Sequence, residues 1–176
     1  MVGDRECLVL GVEGAGKTLL LRRLWELSSG TLSEIVNDST APTVGQDVIG
    51  IRGRNGMSVN VREIGGRMGS AWMSYTDLSD SVVFMVDISD AGVLSASAVL
   101  MQELLLHISV SHKRVLLVLN KRELIDDMHF TIAFNLMRIT DISALYPELK
   151  VECITGSLYD LQFVNTIYLW ITSITG

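Results

Sequence analysis

Glu6-Cys7-Leu8-Val9-Leu10-Gly11-Val12-Glu13-Gly14-Ala15-Gly16-Lys17-Thr18 is the stretch on which the fold turns. Its first five residues form a short apolar run, as expected of a buried strand. From Gly11 the chain reads G-x-x-x-x-G-K-T. Glycines in that pattern let consecutive backbone N–H groups curl around phosphate oxygens, the lysine reaches the outer phosphates, and the hydroxyl serves a divalent cation. Beyond Lys17, Leu20, Leu24 and Leu27 share one helical face while Arg22, Arg23 and Glu26 lie off it. The loop therefore opens a helix, whose positive end favours anions. Strand, loop and helix in this order predict a phosphate site at Glu13, Gly14, Ala15, Gly16, Lys17 and Thr18.

Outward from this motif the pattern alternates. Ser28–Thr43 is polar and aperiodic, hence a long loop. Val44–Arg52 and Met57–Ile64 are β-type runs joined through Arg54-Asn55-Gly56, and Asn-Gly is a strong hairpin signal because both residues tolerate positive φ. After a break at Gly65-Gly66, a strand is expected at Ser81–Asp87. Leu94, Ala98, Met101, Leu105 and Ile108 then mark a helix over Ala91–Ile108. Strand Arg114–Leu119, helix Met128–Leu145, strand Lys150–Cys153 and helix Asp160–Ile174 follow. Strands apolar on both faces and separated by helices imply a doubly wound α/β domain. We expect six strands, mostly parallel with one antiparallel edge hairpin, helices on both faces, and one domain over residues 1–176.

Composition removes other classes. Twenty acidic against 14 basic residues give a formal charge of −6, a poor match for nucleic acid. With 48% apolar and 19% charged residues the chain is not disordered. The longest apolar runs, such as Val82–Val86 and Val115–Leu119, fall well short of the roughly 18 residues of a membrane span. No charged head followed by an apolar core stands at the start, so no signal peptide is expected. Cys7 and Cys153 cannot build a disulfide framework and read as buried thiols of a reducing cytosol. His107, His112 and His129 lack zinc-ligand spacing.

A phosphate loop alone fits kinases, ATPases and nucleotide switches. At the end of a central strand stands Asn120-Lys121-Arg122-Glu123, where such sheets bind ligands. This resembles the N-K-x-D of small GTPases. Pro42-Thr43-Val44-Gly45 is similar to the P-T-[IV]-G of their Arf-like branch, and Glu63-Ile64-Gly65-Gly66 to its D-x-G-G. Met85-Val86-Asp87 with Ser89-Asp90 fits the same branch, whose members slide the intervening hairpin on changing nucleotide. The resemblance implies a GTP/GDP switch with magnesium (Mg²⁺) held by Thr18, Thr43 and Glu63. Gly66 would meet the terminal phosphate through its N–H. Asn120, Lys121 and Glu123 would read guanine, together with the backbone of Cys153-Ile154-Thr155. Effector and regulator proteins would engage Gln46, Arg62, Trp72 and Tyr75.

Departures from that pattern shape the expectations. Arg67 stands where most relatives carry the glutamine that orients the attacking water. Arginine has five donors and no acceptor, so slow hydrolysis is expected; Arg67 would lie in solvent or hold the terminal phosphate. Glu63 and Glu123 each replace an aspartate. Gln46 and Arg62 replace aromatic anchors, which implies partners other than Arf effectors. Val2 stands where myristoylation requires glycine, and Ser173-Ile174-Thr175-Gly176 carries no prenylation cysteine. These imply a cytoplasmic monomer without its own lipid anchor, brought to membranes or a cilium by partners in trafficking. Two other readings stay open: a pseudo-GTPase interaction module, locked on nucleotide or free of it, and a P-loop kinase or ATPase.

Overall fold

Every residue of one strand, Ser81–Asp87, is buried, and the architecture is organised about it. The structure is a computed structural model describing residues 5–31, 36–53, 56, 58–108 and 113–173. In chain order the strands are β1 (Arg5–Leu10), β2 (Gln46–Arg52), β3 (Ser58–Ile64), β4 (Ser81–Asp87), β5 (Arg114–Asn120) and β6 (Lys150–Thr155). The helices are α1 (Lys17–Ser29), α2 (Trp72–Leu78), α3 (Ala91–Ile108), α4 (Asp127–Leu136), α5 (Ile142–Leu145) and α6 (Leu161–Thr172). The strands form one sheet in the order β2-β3-β1-β4-β5-β6, with only β2 antiparallel to its neighbour. The expected six-stranded sheet with an antiparallel edge is thus observed. Arg54 and Asn55 of the hairpin turn, Val2, His112 and residues 174–176 lie outside the described residues.

Strand alternation divides the core in two. Leu8, Leu10, Val82, Phe84, Val86, Val115, Leu117 and Leu119 face α2, α3 and α4, with Trp72 and Met101. Cys7, Val9, Val83, Met85, Leu116 and Val118 face α1 and α6, with Leu20, Leu24, Ile167 and Ile171. Because successive side chains point to opposite faces, a sheet covered on both sides needs apolar residues throughout, which explains the unbroken apolar runs. The same packing accounts for α3, apolar and long enough to span a membrane by composition, whose residues Leu94, Ala98, Met101, Leu104, Leu105 and Ile108 are buried here.

Two local expectations change. The helix expected over Met128–Leu145 stops at Leu136, and Arg138 takes a left-handed φ of 52° before one 3-10 turn and α5. Met137 and Ile142 are both buried. On an unbroken helix residues five apart would diverge by about 140°, so the break lets both reach the core. The second change is α2 and the 3-10 turn before it, formed where only a glycine-rich break was expected. The end of α2 is held by Lys113, whose Nζ donates to Thr76 O at 2.6 Å and to Ser79 O. A cation there satisfies carbonyls that the helix leaves open.

Phe84 is fully buried and meets Trp72 edge-on at 6.0 Å between ring centroids. Phe84→Ala will destabilise the protein by about 3–5 kcal/mol in urea unfolding, while the exposed Val99→Ala will stay within about 0.5 kcal/mol. Burial pushes the Cys7 thiol up to about 12, and burial pushes Cys153 up to about 11. Neither will react appreciably with a thiol-disulfide reagent at pH 8 unless the protein is first denatured.

Candidate functional site

Strand order puts β1 between β3 and β4, so the loop leaving Leu10 emerges at the middle of the sheet's carboxyl edge. Gly16 precedes α1 with φ 99°, and a Cβ there would lie 2.6 Å from Asn120 Nδ2, so a side chain is excluded by both backbone and neighbour. No side chain caps the start of α1, and its first turn holds no acid. Its open N–H groups are therefore available to an anion. Lys17 is buried, with Nζ donating to Val12 O at 2.9 Å. Burial pulls its ammonium below the usual lysine range, with the Glu63 and Glu13 carboxylates opposing.

Beside Lys17 three oxygens converge. Thr18 Oγ1 and Thr43 Oγ1 each donate to Glu63 Oε1, at 2.9 and 3.0 Å, and stand 3.0 Å from one another. Two hydroxyls have two protons, both given to the carboxylate, so the contact between the hydroxyl oxygens has no proton of its own. Glu63 is buried and its Oε2 has no hydrogen-bond partner among the described residues. Hard oxygens converging on a buried carboxylate whose second oxygen has no partner among the described residues suit a small divalent cation such as Mg²⁺. Glu63 gets there because β3 runs parallel to β1, with Glu63 in register with Val9. The β2–β3 pairing, beginning at Gln46 opposite Ile64, brings Thr43 in just before it.

A trough runs along these groups in two compartments. One, of about 280 Å³, is lined by Glu13, Lys17, Thr18, Thr43, Glu63, Gly66 and Arg67 among others. The other, of about 260 Å³, is lined by Asn120, Lys121, Glu123, Leu158 and Tyr159 among others. Both share Gly14, Gly16 and Thr40, so the two compartments adjoin. In the second compartment Asn120 donates to Ala15 O at 3.0 Å, and its buried Oδ1 lacks a partner among the described residues. Lys121 takes a left-handed φ of 66° and pairs with buried Asp87 at 2.5 Å, which fixes its stem along the trough. Glu123 is exposed at the rim.

Several expected residues lie elsewhere. Cys153, Ile154 and Thr155 form the end of β6 and do not line the trough. Cys153 packs into one core cluster, Ile154 into the other, and the Thr155 hydroxyl donates to Leu119 O at 3.3 Å. It is the following loop that reaches the cavity, through Leu158 and Tyr159. Trp72, expected on the partner surface, is fully buried against Phe84, which corrects that assignment. Tyr75 is half-buried. Gln46 is exposed and its Oε1 accepts from Arg62 NH1 at 2.8 Å, while Arg62 also pairs with Glu6. Arg67 pairs with Glu13 of the phosphate loop. Sequence reading passed over Asp38 and Tyr159, joined by a 2.6 Å hydrogen bond at the mouth of the second compartment. A tyrosine directly after the leucine that follows the last strand was the one available signal.

Residues 3–163 match the ADP-ribosylation factor family. Human ADP-ribosylation factor-like protein 16 is 39% identical over 142 residues, spanning 78% of this chain and 70% of that protein. ADP-ribosylation factor-like protein 3 of Chlamydomonas reinhardtii is 30% identical over 125 residues, 70% of this chain and 66% of that protein. The fold is shared with the Arl6 BBS3 small GTPase of Trypanosoma brucei, solved with the nucleotide analogue GppNp. That superposition has a TM-score of 0.74 at 18% identity and covers 97% of this chain and 96% of the other. A glycine loop and a buried carboxylate could serve many phosphate chemistries, and the match over most of the sequence supplies the kinship they leave open: this chain belongs to the ADP-ribosylation factor family of small GTPases.

Proposed function

We propose that the chain is a Mg²⁺-dependent guanine-nucleotide switch with very slow intrinsic hydrolysis that acts through protein partners. The observation that carries this reading is the meeting of Thr18, Thr43 and Glu63 beside Lys17, in a compartment adjoining the one lined by Asn120, Lys121 and Glu123. The loop N–H groups of Gly14 to Lys17, the Lys17 ammonium and the Gly66 N–H would hold the phosphates. Thr18, Thr43 and Glu63 would hold the metal, which when bound neutralises phosphate charge. Asn120, Glu123 and the Lys121 stem would hold the base, with Leu158 as an apolar wall.

Slow hydrolysis follows from Arg67. Its guanidinium has no acceptor to orient a water, and it is occupied by Glu13. The same pairing favours a second reading, in which the domain holds one nucleotide persistently and serves as an interaction module. Partner choice would rest on Gln46, Arg62 and half-buried Tyr75, joined by Val44, which is 99% exposed, and by exposed Val48. That face is polar and aliphatic, unlike the aromatic anchors that dominate many interfaces. Two free cysteines support a cytoplasmic setting; recruitment to membranes or a cilium would come from such partners, with the chain itself monomeric.

Isothermal titration with Mg²⁺ will show GTP and GDP binding with Kd of about 1 μM or tighter and ATP at least about a hundredfold weaker. Glu63→Gln will abolish most of the Mg²⁺ dependence. ATP preference would overturn the guanine assignment, and absence of binding would favour a nucleotide-free module. In single-turnover assays Arg67→Gln will hydrolyse GTP about tenfold or more faster than the wild type. Equal rates would remove Arg67 as the cause of slow turnover.

A further inference from the structure

Arg67 and Glu13 make a two-pronged pair, Nε to Oε2 at 2.6 Å and NH2 to Oε1 at 3.1 Å. It joins the segment after β3 to the phosphate loop. The backbones beneath it already touch: a Cβ at Gly66 would lie 2.3 Å from Glu13 N, so this approach requires glycine. On its other side the segment is tied to the loop before β2, where Gly65 N–H donates to Gly45 O at 2.9 Å. Residues 65–67 are thus wedged between the phosphate loop and the segment that carries Thr43. Glu13 and Arg67 both line the compartment that contains Lys17, Thr18, Thr43 and Glu63. The hydrogen bonds to Glu13 hold the Arg67 guanidinium further toward its charged form.

We infer that Glu13 is a specificity-determining residue: by holding Arg67 on its carboxylate, it lowers the preference of the site for a nucleoside triphosphate over a diphosphate. This rests on reading the trough as a guanine-nucleotide site. Guanidinium binds phosphate and carboxylate through the same paired N–H geometry, so a terminal phosphate and Glu13 compete for one group. A diphosphate, lacking the terminal group, leaves the Arg67–Glu13 pair in place, so the segment stays docked without it. Arg67 is 81% exposed and the Glu13 side chain 39%, so the effect is modest and weakens with salt.

The test is the ratio of affinities for GppNp and GDP, each with Mg²⁺, measured by titration calorimetry. It compares the wild type, Glu13→Gln, Arg67→Gln and the double variant. Glu13→Gln will raise the GppNp-to-GDP ratio about three- to fivefold at low salt, and Arg67→Gln will lower it. The double variant will match Arg67→Gln, because Glu13 acts through Arg67. Amide exchange supplies a second readout: Glu13→Gln and Arg67→Gln will each speed exchange at Met68, whose N–H is bonded to Gly65 O at 2.9 Å. Nucleotide binding with an unmoved ratio, or with independent effects of the two substitutions, overturns this inference alone. Failure of the wild type to bind either nucleotide overturns the nucleotide reading, and this inference with it. Unchanged Met68 exchange in both variants shows that the pair does not dock the segment and overturns the inference from the other side.

Discussion

Two hydroxyl protons shared among three oxygens hold together the edge of the sheet where Thr18, Thr43 and Glu63 meet. These residues come from the first turn of α1, the loop before β2 and the end of β3, segments distant in sequence. Their meeting depends on two registers at once. Val9 opposite Glu63 sets the carboxylate beside the phosphate loop, and Gln46 opposite Ile64 sets how far the loop with Thr43 extends. A slip by one residue in either pairing would turn the relevant side chains to the other face. The buried carboxylate is tolerable only because hydroxyls and a nearby ammonium compensate it, and a buried charge without such partners is costly.

The charge pattern follows the same logic at larger scale. The chain is acidic, with a formal charge of −6, yet the phosphate compartment is lined by Lys17 and Arg67 and by the open start of α1. Attraction for an anion is therefore local and directional. Lys121, which lines the other compartment, balances the buried Asp87 carboxylate, and Ser89 adds hydrogen bonds from its N–H and hydroxyl. Each buried charge at this edge thus has a compensating partner within the fold, and two polar atoms, Glu63 Oε2 and Asn120 Oδ1, are left without one among the described residues. Both are in the trough or its wall, where the fold leaves room for something other than protein.

The face expected to meet partners is rebuilt with polar contacts. Glu6, Arg62 and Gln46 form a chain of contacts across β1, β3 and β2, where the aromatic types of the resembled branch are missing. Trp72 does not replace them, because it is spent on the core with Phe84. Large aromatic residues serve both interiors and interfaces, so the identity of residue 72 could not say which role it takes. Only the presence of a helix at Trp72–Leu78, closing over β1 and α3, decides it.

The alternation of buried runs and helical stripes was legible because the sheet's demands act residue by residue: both faces covered means both faces apolar. The phosphate loop was legible because its chemistry is local, a run of neighbours whose backbone must bend one way. The parts that misled depend on long-range position. The helix beginning near Met128 looks continuous until the core asks for both Met137 and Ile142. Cys153, Ile154 and Thr155 have the right place in the chain, yet strand β6 carries them past the trough and leaves the lining to Leu158 and Tyr159. The sequence by itself determined the layered α/β architecture and the phosphate loop, since periodicity and a contiguous motif are properties of neighbours. The pairing of Glu13 with Arg67, 54 positions apart, and the meeting of Thr18, Thr43 and Glu63 were decided by tertiary structure, because only strand order and register bring such distant side chains within hydrogen-bond range.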